Sequence, residues 1–267
     1  MASICWRAPA RSLFTVYRRP PCLKQGLVLG ISQSGHSPDI VEVVAEARRQ
    51  GALTVAITND VGSPLALEAE FCLPCHAGDE RSVAATKTYT AQLTSLALLA
   101  TELSADSALR SELPQLPAYV AKVLALAPEV EPRVERYRYM ESCVVIGRGY
   151  NYATAREVSL KLKELTYVVA EPYSSADFMH GPIAVIEQGF PVLVFAPGGQ
   201  IYPEMLSLIQ DLRRREAELV VVSDCQGALE LAQTPLRLPP GVPEWLSPVV
   251  AVVPGQLFAA ALTRAKG

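Results

Sequence analysis

Histidine and tryptophan are scarce in this sequence, with three and two among 267 residues. The six cysteines are scattered at positions 5, 22, 72, 75, 143 and 225. Cys72-Leu-Pro-Cys75 has the spacing of a redox or zinc pair, and His76 follows it. A structural zinc site needs a second pair of ligands nearby, and none follows. Two small apolar residues at a strand end are the simpler reading, so no metal is expected. An excess of either charge is also missing: the net charge is −3, which gives no electrostatic basis for binding nucleic acid or an anionic membrane surface. No uninterrupted apolar run approaches the ~18 residues of a membrane span, so no membrane partner is expected. Acidic residues are absent before Asp39, while Arg7, Arg11, Arg18, Arg19 and Lys24 are present. That is the flavour of a transit peptide. The stretch Ser12-Leu-Phe-Thr-Val-Tyr equally reads as a β-strand closed by an Arg-Pro-Pro turn, and this reading is preferred. Dispersed, reduced thiols fit a cytoplasmic location.

What is present is the pattern of a globular α/β chain: half the residues are hydrophobic and 19% are charged. Leu27-Val-Leu-Gly-Ile is a short continuous apolar run, as in a buried parallel strand. A loop, Ser32-Gln-Ser-Gly-His-Ser-Pro, leads into an amphipathic helix from Asp39 to Gln50, with Ser37 placed as N-cap and Pro38 as first helical residue. Gly51 ends it, and Leu53-Thr-Val-Ala-Ile-Thr is the next strand. These elements make a βαβ unit. Phe71-Cys-Leu-Pro is a further short strand, and Thr86 to Leu103 a long apolar helix.

Shifted by 164 residues, the pattern recurs. Leu27-Val-Leu-Gly-Ile falls on Pro191-Val-Leu-Val-Phe, and Thr54 to Asp60 falls on Glu218 to Asp224. Two copies of one α/β unit are expected, 1–103 and 140–267, joined by a charged helical connector over 104–139. The second copy opens with Cys143-Val-Val-Ile and a Glu/Lys helix that have no counterpart in the first. The first copy is therefore expected to lack its opening strand and helix, its sheet edge being covered by another chain or left by shortening of the product.

Two stretches carry chemistry. Glu157, Lys161 and Glu164 fall within a narrow arc of one helix face, in a segment flanked by Cys143-Val-Val-Ile and Leu165-Thr-Tyr-Val-Val-Ala. Charges grouped in apolar surroundings are candidates for proton transfer. His180 follows in Phe-Met-His-Gly-Pro. The loop Ser32-Gln33-Ser34-Gly35-His36-Ser37 joins a strand end to a helix N-terminus, where free N–H groups and hydroxyls suit a phosphate. A serine-rich turn with an N-cap is the plainer alternative from the loop alone. Its counterpart Ala196-Pro-Gly-Gly-Gln200 has no hydroxyl. His36 and His76 lack neighbours that would make a nucleophilic triad.

Gly-Ile-Ser-Gln-Ser-Gly-x-Ser-Pro-Asp, Ser-Val-Ala-Ala-Thr-Lys-Thr-Tyr-Thr-Ala-Gln-Leu, and Leu-Lys-Leu-Lys-Glu-Leu with His-Gly-Pro resemble the double sugar-isomerase (SIS) domain family. Gly-Arg-Gly-Tyr-Asn-Tyr-Ala-Thr-Ala and Ala-Glu-Pro-Tyr-Ser-Ser-Ala-Asp-Phe are most similar to its glucosamine-6-phosphate deaminases, and less so to the isomerase half of glucosamine-6-phosphate synthase. The resemblance implies two tandem SIS domains, each a mostly parallel, doubly wound sheet flanked by helices. It implies that Ser32, Gln33, Ser34 and Ser37, with Val83 close by, bind the sugar phosphate. It further implies that Glu164 moves a proton between C1 and C2, that Lys161 and Glu157 assist, and that His180 opens the ring, reaching a neighbouring subunit of a homodimer. No metal or organic cofactor is implied. The family's first Gly-Ser/Thr-Ser loop and its C-terminal lysine tail have no match here, and no glutaminase domain precedes the copies, which disfavours a complete synthase. The expected reaction is conversion of glucosamine 6-phosphate to fructose 6-phosphate and ammonia. The alternatives are a synthase-like isomerase or aminotransferase, and a non-catalytic sugar-phosphate sensor.

Overall fold

The computed structural model describes residues 11–82, 84–104 and 106–267. The chain divides into two compact units at Leu99/Ala100. In the first, α1 (Arg11–Thr15), β1 (Leu27–Ser32), α2 (Pro38–Arg49), β2 (Leu53–Thr58), α3 (Pro64–Glu68) and β3 (Phe71–Pro74) precede α4 (Lys87–Ser104), which carries the division point. The sheet is parallel in the order β1-β2-β3, with Leu27 opposite Leu53 and Val55 opposite Phe71. Ser37 stands at the N-cap of α2, with Pro38 after it, but its hydroxyl makes no capping bond. Gly51 follows the helix at φ +81°, a left-handed position that glycine takes without strain. Val44, Ala56, Leu65 and Ala69 form the buried layer between the sheet and α2–α3.

One expectation fails here. The stretch read as a strand from Ser12 is instead the short helix α1, which packs against α2 and buries Phe14. Its β-branched and aromatic residues favour a strand locally, but the apolar contact with a neighbouring helix overrides propensity.

The second unit holds α5 (Ser107–Glu112), α6 (Leu116–Leu124), α7 (Ala127–Val134), β4 (Ser142–Gly147), α8 (Asn151–Thr166), β5 (Val169–Ser174) and α9 (Ser175–Met179). Then follow β6 (Pro191–Phe195), α10 (Tyr202–Arg214), β7 (Glu218–Ser223), α11 (Gln226–Leu229), β8 (Thr234–Arg237) and α12 (Ser247–Lys266). Its five strands are all parallel in the order β5-β4-β6-β7-β8. The connector is helical and belongs to this unit. Among the described residues, the first sheet has strands matching β6, β7 and β8 and none matching β4 or β5.

The repeat is visible in hydrogen bonds, with a local slip of one residue. Thr58 Oγ1 donates to Gln33 O at 3.3 Å, and Ser223 Oγ donates to Ala196 O at 2.6 Å. Each hydroxyl also accepts an amide two residues on, from Asp60 and Cys225. The same two residues accept at their carbonyls, from Cys75 and Leu238. Asn59 and Asp224 are therefore the equivalent residues at the end of these strands, although a constant offset of 164 pairs Asp60 with Asp224.

Among the described residues one helix is long and apolar enough to cross a membrane, spanning Glu244–Lys266 with the helical turn before α12. The sequence shows no uninterrupted apolar run of that length because Pro254, Gly255, Gln256 and Thr263 break it. Within the fold, 78% of its apolar window is buried, as in the core helix of a globular domain.

Candidate functional site

The charged stripe lies on α8, the crossover helix between β4 and β5. Two polar fastenings and one apolar face fix this helix. Asn151 Nδ2 donates to Ser247 Oγ at 2.7 Å at its start, and Ser159 Oγ donates to Ala170 O of β5. Ala155, Val158 and Leu162 are fully buried, while Leu160 is partly exposed. Tyr167 ends the helix at φ +58°.

On the remaining face Lys161 Nζ lies 2.7 Å from Glu164 Oε2 and 3.5 Å from Glu157 Oε1. The side chains are 5% (Lys161), 11% (Glu157) and 36% (Glu164) exposed. This is no ordinary solvated helix pair, since the ammonium is withdrawn from water and must be held by its carboxylates. Glu157 Oε1 is buried without a hydrogen-bond partner, close enough to Lys161 for Coulomb attraction but not aligned as a hydrogen bond. Burial pushes the Glu157 carboxyl above its usual range, and the Lys161 charge only partly offsets this. Glu164 differs. One oxygen is bound by the ammonium, while the other has no hydrogen-bond donor among the described residues. That is the arrangement of a base with one lone pair oriented and one available.

His180 follows α9 with its amide bonded to Asp177 O, and its side chain is exposed. No hydrogen bond or ion pair joins it to the stripe among the described residues. The structure thus unites Glu157, Lys161 and Glu164 and leaves His180 separate.

The other candidate residues lie in the first unit. Ser32 Oγ accepts the Gly35 amide at 3.1 Å, and Ser34 Oγ accepts the His36 amide at 3.3 Å. Gly35 sits at φ +68°, and a Cβ there would meet Ser63 Oγ at 2.1 Å, so only glycine closes this turn. Among the described residues the Ser34 amide has no acceptor, and the Ser37 hydroxyl makes no cap bond. Ser32, Gln33, Ser34 and Ser37 thus form one turn with free donors at the start of α2. Val83 lies outside the described residues. Asp79, Glu80, Arg81, Ser82 and Lys87 line an open recess.

Sequence reasoning missed the fastenings of this segment. Glu80 accepts both the amide of Thr88, at 3.1 Å, and its hydroxyl, at 2.7 Å, at the start of α4. Partial burial alone would raise the Glu80 carboxyl, but these bonds, the Thr86 amide and Lys87 hold it below its usual range. Asn59 accepts from the Ala77 amide and donates to Gly78 O. The signal available was Asn59's place at the end of a repeated strand. Also missed was a polar cluster in the second unit, where Glu204 meets Ser175 Oγ and Arg148. Among the described residues no group of three metal-binding side chains assembles.

The SIS domain model matches residues 15–102 and 138–262. The chain is similar to the isomerizing glutamine–fructose-6-phosphate aminotransferase of Aquifex aeolicus, 38% identical over 245 residues, covering 91% of this chain and 41% of that protein. It therefore spans about two fifths of the length of the curated relatives it matches. A Silicibacter pomeroyi protein described as a phosphosugar isomerase superposes with a TM-score of 0.82 at 33% identity, over 95% of this chain and 76% of that one. The glucosamine-6-phosphate deaminase of Thermotoga maritima superposes with a TM-score of 0.79 at 21% identity, over 97% of this chain and 76% of that one, a likeness of fold alone. With two matching segments that cover most of its length, the chain belongs to the SIS domain family.

Proposed function

We propose that this chain is a sugar-phosphate isomerase of the SIS type that interconverts glucosamine 6-phosphate and fructose 6-phosphate, with ammonia as the second product or substrate. The observation that carries this reading is Glu164, with one oxygen on a buried ammonium and the other unengaged. Its role is to take the C2 proton of the open aminoaldose and return it at C1. This leaves a 2-imino sugar, which water hydrolyses to the ketose and ammonia. Lys161 holds Glu164 in place and offsets negative charge as the proton moves, and Glu157 holds Lys161. Ser32, Gln33, Ser34 and Ser37 bind the phosphate, with Val83 beside them. His180 opens the sugar ring, supplied by the second copy of a homodimer.

The relatives support the substrate class, carrying the names aminotransferase, phosphosugar isomerase and deaminase. Deamination is the direction this chain can be asked to perform alone. The test is release of ammonia and fructose 6-phosphate from glucosamine 6-phosphate by the purified chain and its Glu164→Gln variant. Loss of a general base is expected to reduce turnover by about 10² to 10⁴. Turnover unchanged in Glu164→Gln would exclude Glu164 as the base. Saturable sugar-phosphate binding without turnover in either form would mark the chain as a sensor.

A further inference from the structure

The two copies of the loop treat negative charge in opposite ways. In the second unit, the amide of Gly198, two residues past Ala196, donates to Asp224 Oδ1 at 2.7 Å. The amide of Gln200 donates to Glu244 Oε2 at 3.1 Å. The residue between Ala196 and Gly198 is Pro197, which has no N–H to offer. Two of this loop's amides therefore already hold a carboxylate of the same chain and Pro197 offers none, which leaves the Gly199 amide without an acceptor among the described residues.

In the first unit no carboxylate accepts from a loop amide among the described residues. Gly35, two residues past Gln33, donates only to the neutral Ser32 hydroxyl, and the Ser34 amide has no acceptor among the described residues. Asp224 is matched by Asn59, as their shared strand-end bonding shows. Asn59 turns its uncharged amide to Ala77 N and Gly78 O. Asp39 stands in the first turn of α2, and Asp60 accepts from the Gly62 amide at 2.8 Å and lies 3.6 Å from His36 Nε2.

We propose that Asn59 determines the affinity of the first loop for a phosphate dianion. Its neutral amide leaves the Ser34 N–H open and the Gly35 N–H on a neutral, displaceable hydroxyl, whereas an aspartate there engages the Gly35 N–H from within, as Asp224 does on Gly198. A carboxylate and a phosphate oxygen compete for the same donors, and a tethered carboxylate has no association entropy to overcome. The side chain also couples two segments of the unit, since the Asn59 amide donates to Gln33 O while its side chain holds Ala77 and Gly78. Asn59 is thus a positioning residue, acting through the loop. This inference rests on the phosphate reading of Ser32–Ser37.

The experiment measures inorganic phosphate and fructose 6-phosphate binding to the full chain by calorimetry, for the unsubstituted protein, Asn59→Asp and Asn59→Ala. Amide exchange at Gly35 is followed without ligand. Asn59→Asp is expected to weaken both ligands by at least about tenfold and to slow Gly35 exchange, while Asn59→Ala weakens them by only about threefold. A purely structural role predicts losses without slowed Gly35 exchange, because aspartate keeps the acceptor for Ala77 N but loses the donor to Gly78 O. Equal losses in both variants with Gly35 exchange unaltered, or Asn59→Asp binding within twofold of the unsubstituted chain, would overturn the proposal. Asp224→Ala provides a second test in case Asn59→Asp does not fold. Gly198 exchange is then expected to accelerate, and unchanged exchange would count against a carboxylate filling the loop. Failure of the unsubstituted chain to bind either ligand would remove the phosphate reading itself, and the proposal with it.

Discussion

Gly255 of α12 faces Val158 of α8 so closely that a Cβ on the glycine would meet Val158 Cγ2 at 2.4 Å. Val158 lies one residue beyond Glu157, so the closeness of these helices sets where the charged stripe sits. Gly255→Ala is expected to destabilise the second unit by about 1–3 kcal/mol through overpacking. Denaturant melts check this, and a variant as stable as the parent would show that the helices can separate without loss.

The Glu157 carboxyl is raised by burial, which fixes a sign. The folded state holds this proton to higher pH than the unfolded chain does, so the contribution of Glu157 to stability falls as pH rises from about the ordinary carboxylate value, through the raised one. Against Glu157→Gln, the parent is therefore expected to lose relative stability between acid and neutral pH. Urea melts of both proteins across that range test it, and parallel curves would contradict the shift.

Burial lifts the Cys143 thiol to about 12, whereas Cys22 is exposed. Alkylation proceeds through the thiolate. In the native protein at pH 8, iodoacetamide is expected to modify Cys22 and spare Cys143, with Cys143 reacting only after denaturation. Peptide mass mapping gives the answer.

The Tyr137 hydroxyl, buried beside the sheet, hydrogen-bonds to Thr234 Oγ1 at 2.7 Å and Glu218 Oε1 at 3.0 Å. Its ring stands edge-on to Phe258. Burial raises its hydroxyl above the usual phenol range. Tyr137→Phe keeps the ring contact and strands the buried Thr234 hydroxyl, while Glu218 keeps its ion pair with Arg136, so a loss of about 1–3 kcal/mol is expected. Equal stability of the two proteins in chemical melts would mean that water satisfies Thr234.

The parallel strands around Leu53, Pro191 and Glu218 were legible as apolar runs, because strands buried on both faces need no alternation, and the one at Leu27 was legible as such a run although only Gly30 in it is buried. The Glu157–Lys161–Glu164 stripe was legible from helical spacing, and its burial from the apolar segments around it. Ser12 to Tyr17 misled because its composition suits a strand, while its conformation is decided by contact with α2. The equivalence of Asn59 with Asp224 was hidden by a one-residue slip that only hydrogen bonds reveal. The partners of Glu80 and Arg148 depend on how loops return, and neither spacing nor composition encodes that.

The layer between the first sheet and its two helices buries only Val44, Ala56, Leu65 and Ala69 among the described residues, with Val28, Ile40, Val41 and Cys72 half-buried against them. Little apolar area holds such a layer, so opening β1 and α2 locally requires less free energy than opening the larger core around β6 and β7. Amides of β1 are therefore expected to exchange with solvent before those of β6, although both strands belong to parallel sheets. A dianion held at the turn between β1 and α2 would reverse part of this difference by mass action. At a hundred times its dissociation constant it would add about 2.7 kcal/mol to that segment. The stability of the first unit then becomes a readout of ligand concentration.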